Sequence, residues 1–138
     1  KGAVQVVALD AIGLEERVVL QAGSGLWVNG GTRWRSVRLG ENCRVDGYVV
    51  VRGNTEQPQS PYAHYHQPSS AVVRGLVYVD GIADVRGVVE GSLYAGELCH
   101  FASEGYYADL FYNVSVCRSP GTVYPFLIKG PVERREVK

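Results

Sequence analysis

The chain has 138 residues, enough for one domain with a buried core of its own. Its 14 acidic and 14 basic residues cancel, so no global field draws nucleic acid or an anionic membrane, and only a local patch could do so. No apolar run approaches the ~20 residues of a membrane helix, and Lys1 in place of an initiating Met leads us to expect a processed or trimmed form.

Ala3 to Leu9 is mostly apolar and rich in valine, which suits a short buried strand better than a helix. Leu14 to Gln21 reads as one helical turn or a strand, with Glu15, Glu16 and Arg17 exposed in either case. Gly23-Ser24-Gly25 predicts a turn, Leu26-Trp27-Val28 a strand, and Asn29-Gly30-Gly31 another turn. Thr32 to Leu39 then alternates polar and apolar residues. Within it Arg33-Trp34-Arg35 is a candidate for stacking on, and pairing with, a phosphate or a sugar.

The organising pattern is V-D-G-x-x-x-V-R-G, present at Val45 to Gly53 and again, 34 residues later, at Val79 to Gly87. Between the copies, Asn54 to Ser70 is rich in Pro, Gln, Ser, Tyr and His and has no periodicity, which predicts an extruded loop. Removing that loop leaves an offset of about 18 residues, the length of one turn of a triangular β-solenoid. From Ala71 to Val116, residues 18 apart match in kind: Leu76, Tyr94 and Tyr112, then Leu93 and Phe111, then Val89 and Tyr107. On successive coils these would stack as ladders.

Cys99 and Cys117 fall at the same separation and are expected to form a disulfide, which would mark an oxidising compartment, with Cys43 left free. Pro120-Gly121 ends the repeat, Thr122 to Ile128 predicts a last strand, and Pro131 to Lys138 is a charged end. The non-repetitive first ~35 residues and the final strand are the expected caps of the coil. The fold class expected is therefore all-β: a short single-stranded β-solenoid of about 18 residues per coil, one domain over 1–138. The alternative is an antiparallel β-sandwich.

The run Gly81 to Leu98, G-I-A-D-V-R-G-V-V-E-G-S-L-Y-A-G-E-L, resembles the rungs of bactofilin-type, polymer-forming β-helices. The resemblance extends to β-solenoid segments of bacterial pseudopilin-type extracytoplasmic proteins, and it implies a periplasmic or cell-surface location, protein partners in a larger assembly and self-association through solenoid edges. Val45 to Val50 and Val79 to Asp84 also resemble hexapeptide repeats of left-handed β-helix acyltransferases, which implies an enzyme with a loop histidine as its base.

Tyr62-Ala63-His64-Tyr65-His66 is the most unusual local constellation. Its histidines, at i and i+2, would project to one side of an extended segment, where a metal would need a third ligand such as His100 or Asp109. Tyr62, His64, Tyr65 and His66 are read instead as a contact surface. No convergent pair of carboxylates, nucleophile elbow or phosphate-cradling loop is present. The expectation is a non-enzymatic module without metal or cofactor; the alternatives are the histidine enzyme, and a glycan- or nucleic-acid-binding module using Arg33, Trp34 and Arg35.

Overall fold

The computed structural model describes residues 2–31, 36–53 and 64–118. Its strands are β1 (Gln5–Ala8), β2 (Ile12–Gly13), β3 (Val19–Gly31), β4 (Val37–Arg38), β5 (Arg44–Gly53), β6 (Tyr65–Gln67), β7 (Val72–Val85), β8 (Val88–Ala102), β9 (Gly105–Ala108) and β10 (Ser115–Cys117). All pair in parallel except β8 with β9. A chain that meets itself in parallel at every turn is a solenoid, and the antiparallel sandwich is excluded.

One wall stacks β1, β3, β5, the first part of β7 and the first part of β8. The other stacks β2, β4, β6, the end of β7 and the end of β8. Inward residues form ladders across the coils: Val6, Leu26, Val49, Val77 and Leu93; Ala8, Val28, Val51, Val79 and Ala95; Ile12, Val37, Tyr65, Ala83 and Leu98. The middle members are fully buried, while the end members, Ile12 excepted, are only partly so. In the last ladder the small Ala83 lies beside the large Tyr65, keeping the filled volume even. Each buried valine contributes about 1.5 to 3 kcal/mol.

The coil is not uniform. Arg44 pairs with Val72, 28 residues on, and Val72 pairs with Val88, only 16 on. Between named strands, an offset of 18 occurs where Tyr65, His66 and Gln67 meet Ala83, Asp84 and Val85, and the isolated bridge of Gly2 with Leu20 has the same offset. The expected 18-residue ladders therefore do not form: Leu76 stacks on Ser92, and Tyr94 on Tyr78. The two V-D-G copies are not stacked either. Val45-Asp46-Gly47 lies against Val73-Arg74-Gly75, which lies against Val89-Glu90-Gly91, while Val79 rests on Val51.

The reason is steric. At this corner adjacent coils approach so closely that a methyl at Gly75 would stand 1.8 Å from the Gly47 carbonyl oxygen, and one at Gly91 would stand 1.9 Å from that of Gly75. Gly75 and Gly91 also take φ of 145° and 151°, where glycine is favoured. At the foot of the column is Ser24, buried, its hydroxyl donating to the Gln21 carbonyl at 2.6 Å and accepting from the Val4 amide at 3.2 Å.

Two further expectations change. Residues 2–31 form coils paired in parallel with the rest, rather than a separate cap. Of the expected loop 54–70, the second half belongs to the wall: the amides of Val37 and Leu39 donate to the carbonyls of His64 and His66. The expected strand at 122–128 and charged end at 131–138 lie outside the described residues.

Candidate functional site

The sequence constellation around the histidines divides sharply by burial. Tyr65 is fully buried, its hydroxyl donating to Gln67 Oε1 at 2.9 Å. Gln67, also fully buried, donates in turn to the carbonyls of Ala71 and Val88 at 3.0 Å each. Burial pushes the Tyr65 phenol well above its ordinary value. Tyr65 is thus a core residue that satisfies a corner, not part of a contact surface, because strand alternation turns it inward.

His64 and His66 flank it on the outer side, as their i, i+2 spacing implies. His64 Nδ1 accepts from the Ile82 amide at 3.3 Å, and burial lowers its pKa, with nearby Asp80 opposing. His66 Nδ1 lies 3.0 Å from Asp84 Oδ2. Among the described residues no three His, Cys, Asp or Glu side chains gather to hold a metal; His100 and Asp109 belong to the far hairpin. Tyr62, Arg33, Trp34 and Arg35 lie outside the described residues.

Asp84 is the hub that the sequence reading missed. Its side chain is 1% exposed and accepts from Arg86 Nε at 3.0 Å and from an Arg86 terminal nitrogen at 2.9 Å, besides His66. Arg86 also donates to the Phe101 carbonyl at 2.6 Å. Burial alone would raise the Asp84 carboxyl; the hydrogen bonds from His66 and Arg86 outweigh it and hold the pKa below the ordinary value. The network clasps β6, the end of β7 and the end of β8. His66 also borders a shallow groove of ≈ 180 Å³, lined in part by Glu15, Glu16, Arg38 and Glu41. A histidine beside a carboxylate is the outline of a general base, but this carboxylate is already matched by a forked guanidinium, which reduces its pull on the imidazole.

A second concentration of chemistry lies on the last coil. After β8 the chain turns at Ala102–Gly105 into β9, pairing Phe101 with Tyr106 and His100 with Tyr107. Tyr94, Tyr106, Tyr107, Leu110, Phe111 and Tyr112 are all exposed, Phe111 by 61%. Phe101 and Tyr106 rings lie 5.2 Å apart on one side of the hairpin, and His100 meets the Tyr112 ring at 4.5 Å on the other. On the first side the Tyr106 hydroxyl donates to Glu97.

The hairpin also overturns the expected disulfide. Cys99 pairs across it with Ala108, and Cys117 returns beside Glu90, so the two cysteines are not stacked. All three cysteines are free thiols, and Cys99 is buried, its pKa pushed up to about 12 chiefly by that burial.

These features define a parallel β-solenoid with a polar clasp on one wall and an aromatic hairpin on its last coil. No protein family, curated protein or solved structure matches the chain.

Proposed function

We propose that the chain is a non-enzymatic, rigid β-solenoid module that serves as a structural and interaction element of a larger extracytoplasmic bacterial assembly. The observation that carries this reading is that six large hydrophobic side chains stand exposed on the last coil and on both sides of its hairpin. Soluble chains seldom leave so much large hydrophobic surface open in one region, and tyrosines supply contact area at low conformational cost. Stacked coils hold the hairpin on a stiff frame. The resemblance of the Gly81 to Leu98 run to β-solenoid segments of pseudopilin-type extracytoplasmic proteins supports an assembly outside the cytoplasm.

The test is made in the cell of origin with the full chain. The unaltered protein is expected in the extracytoplasmic fraction, eluting in a complex much larger than itself. The triple variant Tyr106→Ala, Tyr107→Ala, Phe111→Ala is expected to keep its circular dichroism spectrum and elute free. An unaltered chain that elutes as a monomer overturns the reading.

The hydrogen bond between His66 and Asp84 beside a groove favours one rival, an acyltransferase-like enzyme with His66 as base. Acyl transfer by the purified protein, lost in His66→Ala while the fold persists, would establish that rival instead.

A further inference from the structure

The exposed hairpin carries an unbalanced charge. From Gly87 to Cys117 there are 31 residues without a single Lys or Arg, although the whole chain is neutral. The stretch holds four carboxylates: Glu90, Glu97, Glu104 and Asp109. Glu90 is taken up by Arg74 at 2.7 Å. The other three make no ion pair among the described residues. Glu97 accepts from the neutral Tyr106 hydroxyl, and Glu104 from the Ser103 hydroxyl at 3.1 Å.

Glu97 lies beside the Tyr106 ring, hydrogen-bonded to its hydroxyl, and Glu104 stands in the turn of the hairpin. Tyr106 is 39% exposed, and its ring lies 5.2 Å from that of Phe101 at an interplanar angle of 51°. The negative charges of Glu97 and Asp109 both act on the Tyr106 hydroxyl, whose pKa burial and these neighbours raise. Asp109 is fixed in place, its amide donating to the Leu98 carbonyl at 2.7 Å. Arg86, which reaches the hairpin at the Phe101 carbonyl, is taken up by Asp84, so it does not offset the acids.

We infer that the hairpin face formed by Phe101, Tyr106, Glu97 and Asp109, with Glu104 at its tip, docks an arginine- or lysine-bearing segment of a partner protein. A guanidinium or ammonium group over the Tyr106 ring gains from the ring's electron-rich face, and the carboxylates around it supply the matching charge. Neither an anionic membrane nor a nucleic acid suits a face of this sign. The inference rests on the docking-module reading and names the partner's chemistry.

The experiment titrates the full chain into a fluorescein-labelled decapeptide of alternating arginine and glycine and follows anisotropy, with the glutamate counterpart as control. Saturable binding of the arginine peptide alone is expected, weaker at about 0.15 M salt than at about 0.02 M. Glu97→Gln with Asp109→Asn should weaken it roughly tenfold, and Tyr106→Ala roughly fivefold. Val7→Ala, exposed on the first coil at the other end of the stack, should leave it unchanged. Equal binding of both peptides, or binding untouched by the Glu97, Asp109 and Tyr106 changes, overturns the inference. So does binding that emerges only when Arg134→Ser and Arg135→Ser are introduced, because the face would then belong to the chain's own basic end. A protein that stays in its cellular complex yet ignores the arginine peptide sinks this inference and leaves the module reading standing.

Discussion

The glycine column at the corner of the long wall bears the tightest constraint on single residues. Gly75→Ala would drive a methyl into the Gly47 carbonyl while holding alanine at a φ of 145°, so we expect a loss of about 3 kcal/mol or more in urea unfolding. Gly13→Ala, with nothing within 4 Å of the added carbon, should change stability by less than about 0.5 kcal/mol. Equal effects at the two sites would contradict the close approach. The column also explains how the repeated V-D-G misleads. Stacking is decided by the inward valine and by the glycine that lets coils touch. The residue between them faces solvent and varies freely, as Asp46, Arg74 and Glu90. Exact identity at V-D-G therefore carried less information than V-x-G, and the second copy occupies a different corner.

Among the elements, β6 and the end of β7 are tied by ionisable groups whose shifts give a pH dependence of definite sign. His64 is depressed below its ordinary 6.5, so the fold favours its neutral form; that contribution is complete above pH 6.5 and declines as pH falls through the lowered value. Asp84 is depressed below its ordinary 3.8, so its contribution is present above that value and is lost on further acidification. Stability should therefore fall in two stages as pH drops, the first beginning near pH 6.5 and the second near pH 4. His64→Gln should remove the first stage and Asp84→Asn the second, read from urea midpoints across the pH range. A stability that rises on acidification would refute the assignment. The clasp was not legible beforehand because its members, His66, Asp84, Arg86 and the Phe101 carbonyl, meet only through coil offsets, and these vary along the chain. The histidine spacing in β6 was legible, since alternation in a strand follows from local geometry alone. The aromatic hairpin was hidden for the opposite reason: Ala71 to Val116 reads as a continuing coil, whereas β9 turns back antiparallel.

For the whole molecule, the solenoid was legible in many short valine-rich runs ended by small residues, and its uniform period was not. Insertions between the two walls lengthen individual coils without disturbing either wall, because each wall needs only its own register. In the coil that begins at Arg44, the wall residues Gly53 and His64 are separated by ten residues; in the next coil Val79 and Ile82 are separated by two.

This unevenness has a mechanical signature. The hydrogen bonds between coils run along the stack, so tension between the chain ends loads one rung at a time instead of shearing a sheet at once. Held by its ends in an optical trap, the molecule should unwind coil by coil, like rope from a drum. The 16-residue coil would release about 55 Å and the 28-residue coil about 95 Å of extended chain. The order of short and long steps would read out the winding of the molecule, and a single step spanning all coils would contradict it.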